Sequence, residues 1–360
     1  MRIFAFHLLN DYSGSPKVLM QLLKGWVQKD LEVNMVTCTG RDGFLSDIAG
    51  VRYHYFWYRW AANPWMRLFN LVWSQILLFF HFVFIVRKED IVYINTVLPF
   101  GAAFVGKMKG CKVIYHVHET SMKPALLKKA LFGIAQWAAD EVIYVSKYLA
   151  AQEPFLASKT HVLYNAIEPA FLQQATNYIR QNNTTLSNVL MVCSLKDYKG
   201  THEFLRLAAD HPEYQFRLVV NAAQSDIDTW LGAAKTSSNL HIFPTQTNLH
   251  PFYQWAHLVV NLSRPDGWIE TFGLTIIEGM AYGLPAIVPP VGGITELVED
   301  GKNGYQVDCR DTALLHKTLK KIMSDQAGYE SMRHCALEKI HEFSETALLE
   351  GNLRILQGAK

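Results

Sequence analysis

Residues 266–283 have the sequence DGWIETFGLTIIEGMAYG and carry two carboxylates, Glu270 and Glu278, on either side of a short segment that contains Gly273. Just before this stretch, residues 258–262 (LVVNL) form a short apolar, β-branched run, which predicts a buried strand. After the glycine, apolar residues recur at helical spacing. The stretch therefore predicts a strand, a loop with the first carboxylate, and a helix that carries the second about one turn from its start.

The start of this predicted helix suits a diphosphate. The first turn of a helix has unpaired backbone N–H groups and the positive end of the dipole, and both favour a phosphate. The amides of Phe272, Gly273 and Leu274 would supply this site, and the glycine lets a ligand approach the backbone closely. Glu270 and Glu278 would then accept hydrogen bonds from hydroxyls on the two sides of the phosphates. A molecule with hydroxyls, then a diphosphate, then further hydroxyls is a nucleotide sugar. Without further context, however, two glutamates at this spacing are ordinarily two unrelated charges.

The residues downstream extend this pattern. Residues 283–288 are GLPAIV, residues 291–296 are VGGITE, and residues 299–304 are EDGKNG. From residue 261 to residue 307 the chain resembles the C-terminal domain of retaining, GT4-type glycosyltransferases (glycosyl transferases group 1), which have the GT-B fold. Their pattern is E-x-F-G-x-x-x-x-E-x-M-A-x-G-x-P, then G-G-x-x-E, then D-G-x-x-G, and every fixed position of it is present.

Length and composition narrow the class of protein. The 360 residues, 41.0 kDa, exceed one ordinary core and predict two domains. The net charge of +2 argues against a dedicated nucleic-acid binder, and no nucleic-acid partner is expected. Five scattered cysteines without a C-x-x-C predict buried thiols in a reducing cytoplasm. The first residues lead into a strand, not into a signal peptide.

Strands and helices alternate in both halves of the chain, which predicts an α/β protein of two doubly wound, Rossmann-like domains. With the GT-B resemblance, we expect the domains to face each other across a cleft. The N-terminal acceptor domain is expected over residues 1–172, a polar linker over 173–188 and the C-terminal donor domain over 189–343. The last helix, 344–360, is expected to return to the N-terminal domain.

The first predicted strand, residues 2–8, leads into a turn of the kind at which open α/β folds bind ligands. Pro16 suits the first position of a helix with Ser15 as its N-cap, and residues 18–26 continue at helical spacing. In the resembled family this turn carries glycines that contact the donor phosphates or the acceptor. That role is implied here for Gly14, although two glycines are common, and an ordinary turn is the alternative.

An apolar stretch follows in the N-terminal half. Residues 51–60 (VRYHYFWYRW) are densely aromatic, and residues 68–86 are mostly apolar, long enough to admit a transmembrane helix. Polar residues interrupt this stretch, and residues 90–95 (DIVYIN) predict another strand of the same sheet, which cannot be built from both sides of a bilayer. A true span is therefore the less favoured interpretation, and two others are preferred to it: a helix with an aromatic and basic face on a membrane surface, and a plain core helix.

Residues 112–117 (KVIYHV) predict a strand whose carboxyl end faces the ligand crevice of a parallel sheet. His116 and His118 point the same way in an extended chain, but a zinc site would lack a third ligand at suitable spacing. In the resembled family a histidine at this place lies beside the donor sugar. The resemblance implies that His118, followed by Glu119, orients the sugar, and that His116 packs in the sheet.

Residues 189–193 predict a strand, and residues 194–200 (SLKDYKG) follow it. The family usually has G-R-L-x-x-x-K-G here, and its arginine and lysine neutralise the diphosphate leaving group. Lys199 matches that lysine, whereas Ser194 stands in place of the arginine. Lys196 is the alternative source of charge, as a point charge and not a planar fork. The other interpretation of Lys199 is a solvated lysine at a helix start.

Asp226 and Asp228 form a D-x-D, the metal-binding signature of a different glycosyltransferase fold. Because TWL follows them, they more closely match the acidic first turn of a helix. The resemblance implies a reaction without a metal or another cofactor, in which Lys199 and the amides of residues 272–274 meet the developing negative charge.

The resemblance implies that a hexosyl group moves from a nucleoside diphosphate sugar, with a UDP-sugar as the favoured donor, to an acceptor hydroxyl with retention. Glu278 would hold the ribose, Glu270 would hold the sugar and stabilise the anomeric centre, and a leaving-group oxygen would act as the base. The expected acceptor is a saccharide or lipid-linked saccharide in cell-surface polysaccharide or glycolipid assembly. Residues 52–67 are the expected acceptor side, or the side of peripheral contact with the cytoplasmic membrane.

Three rival functions belong to other classes. A nucleotide-sugar epimerase shares the GT-B fold, but the spacing of the two glutamates fits transferases better. A nicotinamide dehydrogenase would need G-x-G-x-x-G after the first strand, which residues 10–17 lack. A non-catalytic partner subunit would explain Ser194 and the single glycine of the first turn.

Overall fold

The computed structural model describes residues 1–155, 158–178, 185–232 and 236–358. It divides into two compact units: unit 1 contains Met1–Tyr164 and Thr346–Lys360, and unit 2 contains Asn165–Glu345. The predicted linker, residues 173–188, begins within a helix of unit 2, and its residues 179–184 lie outside the described residues.

Within the described residues each unit has one parallel sheet. The strands of unit 1 are β1 (Arg2–Phe6), β2 (Glu32–Cys38), β3 (Val51–Phe56), β4 (Ile91–Asn95), β5 (Lys112–Val117), β6 (Glu141–Tyr144) and β7 (Lys159–Val162). Those of unit 2 are β8 (Asn188–Ser194), β9 (Gln215–Asn221), β10 (Leu240–Phe243), β11 (Leu258–Val260), β12 (Ala286–Val288) and β13 (Gly304–Gln306). The strand orders are β3-β2-β1-β4-β5-β6-β7 and β10-β9-β8-β11-β12-β13. The interiors of the central strands are apolar and buried, as expected for parallel sheets that are covered on both faces.

Helices connect the strands. In chain order they are α1 (Gly14–Gln28), α2 (Pro64–Phe82), α3 (Phe100–Lys109), α4 (Ala125–Ala138), α5 (Lys147–Gln152), α6 (Pro169–Thr176), α7 (Thr201–Asp210), α8 (Gln224–Leu231), α9 (His250–Trp255), α10 (Leu274–Ala281), α11 (Thr312–Ser324), α12 (Gln326–Lys339) and α13 (Glu345–Gln357). Because crossovers between parallel strands are right-handed, α1 covers one face of the first sheet and α2, α3 and α4 lie side by side on the other. No helix within the described ranges is long and apolar enough to cross a bilayer.

Two predicted helix starts were wrong. Helix α1 begins at Gly14 with Ser13 as its N-cap, not with Ser15, because Asp11 accepts hydrogen bonds from the backbone N–H and the hydroxyl of Ser13 and so turns the chain earlier. The apolar helix expected over residues 68–86 begins at Pro64, because the side chain of Asn63 accepts hydrogen bonds from the first backbone amides.

The prediction that all five cysteines are buried was also wrong. Cys193 and Cys335 are only half-buried, whereas Cys38, Cys111 and Cys309 are buried, and all five are free thiols. The two exceptions lie where an element meets a surface loop or presents a helix edge, positions that local hydrophobicity does not distinguish from the core.

The last helix, α13, packs in unit 1 through a buried polar side chain. The Oδ1 atom of Asn352 accepts a hydrogen bond from Nε1 of Trp26 (3.0 Å), and its Nδ2 atom donates to the hydroxyl of Tyr93 (3.1 Å). Asn352 is fully buried, so these bonds replace the water that its amide has in the unfolded chain. The Asn352 amide therefore ties α13 to helix α1 and to strand β4, in addition to the apolar side chains that the helix buries.

We expect Asn352→Ala to lower the free energy of unfolding of unit 1 by about 1–3 kcal/mol, because two buried partners lose their hydrogen bonds. Native-state hydrogen exchange of the strand amides measures this locally. Arg354→Ala, on the exposed side of the same helix, is the matched control and should change little. Equal protection in both variants would mean that the amide does not hold the helix.

Candidate functional site

In unit 2 the ligand crevice is expected between β8 and β11, where the chain reverses its direction across the sheet. The two strands run parallel, so the loops that follow them leave the same edge of the sheet. The first loop carries Lys199, in a single 3₁₀ turn, and the second carries Glu270. Two residues 71 positions apart in sequence are thereby brought into contact.

Glu270 accepts three hydrogen bonds, and all three described contacts end on Oε1. Nζ of Lys199 and Oγ of Ser263 each lie 2.6 Å from this oxygen, and Nδ2 of Asn261 lies 3.3 Å from it. Both members of the ion pair are well buried, with 15% and 14% of their side chains exposed. Burial opposes ionisation of Glu270, but the ammonium group and the hydrogen bonds outweigh it and hold its pKa below the ordinary value.

An aromatic pair supports the lysine. The rings of Tyr198 and Trp268 stack with their centroids 5.4 Å apart, and Nζ of Lys199 lies 5.0 Å from the centroid of the Trp268 ring. A cation over an indole face is attracted by the ring quadrupole. The ammonium group is therefore held between a carboxylate and an aromatic face, and the alternative interpretation as a solvated lysine was wrong.

Glycines allow the two loops to approach the backbone of their neighbours. Gly200 has φ +76, and a Cβ atom there would lie 2.0 Å from the carbonyl oxygen of Leu262. Gly292 has φ +107, and a Cβ atom there would lie 2.3 Å from the carbonyl oxygen of Glu270. No side chain fits at either position, so the loop that carries the carboxylate is packed backbone to backbone on both sides.

The start of α10 has the predicted form. Gly273 is the N-cap, and its carbonyl oxygen accepts hydrogen bonds from the amides of Ile276 and Ile277. The Phe272 side chain is buried against Phe343, which fixes the chain as it enters the helix. Leu274, the first helical residue, is half-buried, so the amides at the helix start lie near the surface.

Glu278 lies one turn into α10, as expected, but it is buried. The hydroxyl of Tyr253 donates a hydrogen bond to its Oε2 atom (2.7 Å). Burial and the neighbouring carboxylate raise the pKa of Tyr253, so the phenol stays protonated and continues to donate. Glu278 is thus an oriented interior carboxylate and not one more charge on a helix surface.

The remaining polar candidates of unit 2 lie at the surface. Ser194 ends β8 and is half-buried, and Lys196 follows it with an exposed side chain. Asp226 lies in the first turn of α8 and accepts a hydrogen bond from the amide of Ala223 (3.4 Å), which confirms the acidic helix start. Within the described residues, no three His, Cys, Asp or Glu side chains come together as they would around a metal ion.

Unit 1 has its own switch point, between β1 and β4, and a polar cluster lies there. The Asn95 amide joins its members: Nδ2 lies 3.0 Å from Nδ1 of His7 and 3.2 Å from the carbonyl oxygen of Ser15, and Oδ1 lies 2.9 Å from Nε2 of His118. Because a carbonyl oxygen can only accept, Nδ2 must face Ser15, and Oδ1 must accept from His118. This network assigns the proton of His118 to Nε2.

The rings in this cluster are held neutral. Burial lowers the pKa of His7 and of His118, and it lowers the pKa of His116 to about 3. His116 is fully buried in β5, with its ring centroid 4.2 Å from that of His118, so the two rings point the same way as expected. Burial also raises the pKa of Glu119 to about 7, although two backbone amides donate to it.

The remaining candidate of unit 1, Gly14, is exposed at the first position of α1.

The side chains that hold the candidates in place were not predicted from the sequence. Asn261, Ser263 and Trp268 surround the Glu270–Lys199 pair, Tyr253 orients Glu278, and Asn95 orients His118. Asn261 lies near the end of the predicted strand 258–262 and Ser263 directly follows it, and this position was the available signal for both. Tyr253 and Asn95 lie 25 and 23 positions from their partners, and no local pattern marks them.

Comparison with known families decides the class. The model of Glycosyl transferases group 1 matches residues 176–339, and that of Glycosyltransferase Family 4 matches residues 12–171. The chain belongs to the GT4-type glycosyltransferases of group 1. Its two parallel α/β units are those of the GT-B fold, which confirms the predicted fold class.

The similar proteins are distant. N-acetyl-alpha-D-glucosaminyl L-malate synthase of Bacillus anthracis is 24% identical over 276 residues, 70% of each chain. A crystal structure of Anabaena HepE in complex with UDP-glucose has a TM-score of 0.78 at 18% identity and covers 99% of this chain and 100% of that one. A probable sucrose-phosphate synthase of rice is 33% identical over 99 residues, and this glycosyltransferase spans only 10% of its length.

We expect Lys199→Met to destabilise unit 2 by about 3 kcal/mol at pH 7, because it leaves a buried carboxylate without its cation. In the native chain the lowered pKa of Glu270 contributes stability above the ordinary carboxyl pKa, and this is lost as the pH falls through the folded-state value. In the variant only the two neutral donors oppose burial, so the pKa of Glu270 rises relative to that in the native chain. The difference in stability between the two proteins should therefore shrink from pH 7 to pH 4.

Urea unfolding at both pH values measures this difference. Lys196→Met, three residues away at an exposed position, is the control and should cost little at either pH. A pH-independent loss in the Lys199 variant would indicate a packing effect and contradict the electrostatic account.

We expect His7, His116 and His118 to stay neutral from pH 8 to pH 5.5, since burial lowers the pKa of each ring. NMR titration of ¹³C-histidine-labelled protein measures this, with single His→Gln variants for assignment and free imidazole as the reference. A midpoint above pH 6 assigned to His118 would show that water reaches the ring.

Proposed function

We propose that this protein is a retaining glycosyltransferase that moves a hexosyl group from a nucleoside diphosphate sugar to an acceptor hydroxyl. The observation that carries the proposal is the buried Glu270–Lys199 pair, held at the carboxyl edge of the sheet and followed directly by the start of α10. A carboxylate suits sugar hydroxyls and a positive anomeric centre, and a cation beside the amides of a helix start suits a diphosphate.

The leaving group would be stabilised from two directions. Lys199 supplies one positive charge, and the amides of Phe272, Gly273 and Leu274 supply the partial positive charge of a helix start. Ser194 cannot provide the charge of the usual arginine, and the exposed Lys196 is the proposed substitute. With these groups in place the reaction requires no metal ion or other cofactor, so EDTA should leave it unchanged.

The two glutamates would bind the two sugars of the donor. In Glu270, three donors from the described residues all bind Oε1, and we assign Oε2 to accept from the hydroxyls of the transferred sugar and to face its anomeric carbon. In Glu278, the bond from Tyr253 orients the carboxylate for the ribose hydroxyls. Gly14, at the start of α1, is the proposed contact of unit 1 with the donor phosphates.

His118 is proposed to orient the transferred sugar as a neutral ring. Asn95 fixes the position of its Nε2–H, and burial prevents protonation. In the transfer step the bond from the anomeric carbon to the phosphate oxygen breaks, and a bond to the acceptor oxygen forms on the same face. The acceptor proton passes to an oxygen of the departing diphosphate, so no second catalytic carboxylate is needed.

A UDP-sugar is the proposed donor, and the likeness to HepE, which was crystallised with UDP-glucose, supports this choice. The proposed acceptor is a saccharide or lipid-linked saccharide of cell-surface polysaccharide or glycolipid assembly, at the cytoplasmic face of the membrane. The apolar outer face of α2 supports a peripheral membrane contact. Full activity on a soluble sugar without membranes would contradict the lipid-linked part.

We expect UDP at about one hundred times its dissociation constant to raise the Tm by about 5 °C, since binding to the folded state alone adds about 2.7 kcal/mol. UDP, GDP, ADP and their common sugars are compared by thermal shift. Glu278→Gln keeps the shape of the side chain but not its charge, and it should lose most of the stabilisation. Glu299→Ala, at an exposed position of the same unit, should keep it.

Transfer is then followed with the stabilising nucleotide's sugars, and NMR of the product gives the configuration at the anomeric carbon. An inverted product would contradict retention. If no nucleotide stabilises the native chain, the proposed transfer fails, and a non-catalytic partner subunit explains the chain better.

A further inference from the structure

The side of α2 that faces away from its sheet is apolar along the helix, apart from the exposed His81 in the last turn. Trp65 is 80% exposed, Phe69 63% and Phe80 60%, and Phe84, just past the helix end, is 85% exposed. Further exposed apolar side chains on the same helix are Met66, Val72, Trp73, Ile76 and Leu77. Contiguous exposed apolar surface of this extent is uncommon on a protein that faces water on all sides.

The buried side of the same helix carries polar residues. Nδ2 of Asn70 donates to the carbonyl oxygen of Arg59 (2.7 Å), and Oγ of Ser74 donates to that of Leu71 (2.7 Å). Oε1 of Gln75 accepts from the amide of Gly101 (3.1 Å). A usual surface helix buries its apolar stripe and exposes its polar residues. In α2 these polar side chains point inward instead. The helix therefore contains polar residues, but its outer side does not carry these side chains.

The surface continues over the neighbouring helices. A groove of about 500 Å³ runs between α2 and α3, with a floor of apolar side chains: Ile76, Phe79, Phe80, Phe104, Met108 and Trp137. Trp137, near the end of α4, is 55% exposed, and Met108, on α3, is 65% exposed. The apolar surface thus covers the whole layer α2–α3–α4.

The charges of this layer have one sign. Helices α2, α3 and α4 contain no Asp or Glu, and their basic residues are Arg67, Lys107, Lys109, Lys128 and Lys129. Lys107 and Lys128 have acidic partners beyond the helices, Asp140 and Glu153. Arg87 and Lys88 follow the end of α2, and the exposed Glu89 comes directly after them. The rim of the apolar surface is therefore predominantly positive.

We propose that the α2–α3–α4 layer docks on the surface of an anionic lipid bilayer, with α2 lying in the interface. At 1.5 Å per residue α2 is about 28 Å long, and basic residues stand at both of its ends, where they reach headgroups while the aromatic rings enter the acyl boundary. Tryptophan is among the residues that prefer this interface. The layer belongs to unit 1, whereas the Glu270–Lys199 pair belongs to unit 2.

A second copy of this chain fits the surface less well. A two-fold interface would place the same patch on both sides, so the basic rims would meet each other. The three helices offer no carboxylate to compensate that repulsion. Anionic headgroups, in contrast, complement the rim, and each basic side chain near such a surface adds attraction that salt weakens.

The test is flotation of the full chain with vesicles of phosphatidylcholine alone and with a quarter phosphatidylglycerol. We expect flotation with the anionic vesicles, weakened at 500 mM NaCl, and at least tenfold weaker partition for the triple variant Phe69→Ser, Trp73→Ser, Phe80→Ser. The double variant Val162→Ser, Leu314→Ser removes exposed apolar side chains elsewhere and should float as the native chain does.

Light scattering after gel filtration measures the molar mass in solution and so shows whether a second copy of the chain covers the surface. If the native chain does not float with anionic vesicles, or if the triple variant floats equally well, the proposal is overturned. If the native chain is a dimer and the triple variant is a monomer, the surface binds a second copy of this chain, and the proposal is likewise overturned. Because these measurements read lipid binding and not donor binding, this inference and the proposed transfer can fail separately.

A second measurement avoids any dependence on the folding of the triple variant. Brominated lipids quench tryptophan fluorescence at short range, so the native chain should lose signal on brominated anionic vesicles. The variant Trp65→Phe, Trp73→Phe, Trp137→Phe keeps an aromatic ring at each position and should lose most of that quenching. Equal quenching in both proteins would place another surface on the bilayer and refute the assignment.

Discussion

Parallel pairing of the strands is the constraint on which the other features of both units depend. When strands run in one direction, every connection must cross a face of the sheet, and every carboxyl end lies at one edge. In unit 2 this brings the loops after β8 and β11 together, so that Lys199 meets Glu270. In unit 1 it brings the ends of β1, β4 and β5 together, so that Asn95 joins His7 to His118.

A buried carboxylate would be costly in this position without compensation, and unit 2 compensates it fully. One ammonium group and two neutral donors converge on a single oxygen of Glu270, and an indole face lies on the far side of the ammonium. The glycines at 200 and 292 permit this arrangement because a Cβ atom at either place would meet a backbone oxygen. The charge, the hydrogen bonds and the close backbone packing therefore act as one assembly, in which the loss of any member affects the others.

On one outer surface of unit 1 the usual distribution is reversed, with polar side chains buried and apolar side chains exposed. Helix α2 buries Asn70, Ser74 and Gln75 with their hydrogen bonds satisfied and turns large apolar rings outward. From sequence, a helix that is apolar nearly all round is equally consistent with a core helix, a spanning helix and an interfacial one. The sheet decides which side is turned inward, because Phe82 packs against Phe4 and Phe6 of β1 and so sets the rotation of the helix.

The sequence by itself determined the alternation of strands and helices, the family, and the order of loop, Glu270, helix start and Glu278, because these follow from local periodicity and from one contiguous motif. Tertiary structure alone decided that Lys199 pairs with Glu270, that Tyr253 orients Glu278, and that Asn95 fixes the proton of His118. It also decided that α1 starts at Gly14 and that α2 exposes its rings. The physical reason is range: hydrophobic period and capping act over a few residues, whereas a buried charge or polar group takes its partner from whichever strand the sheet places beside it.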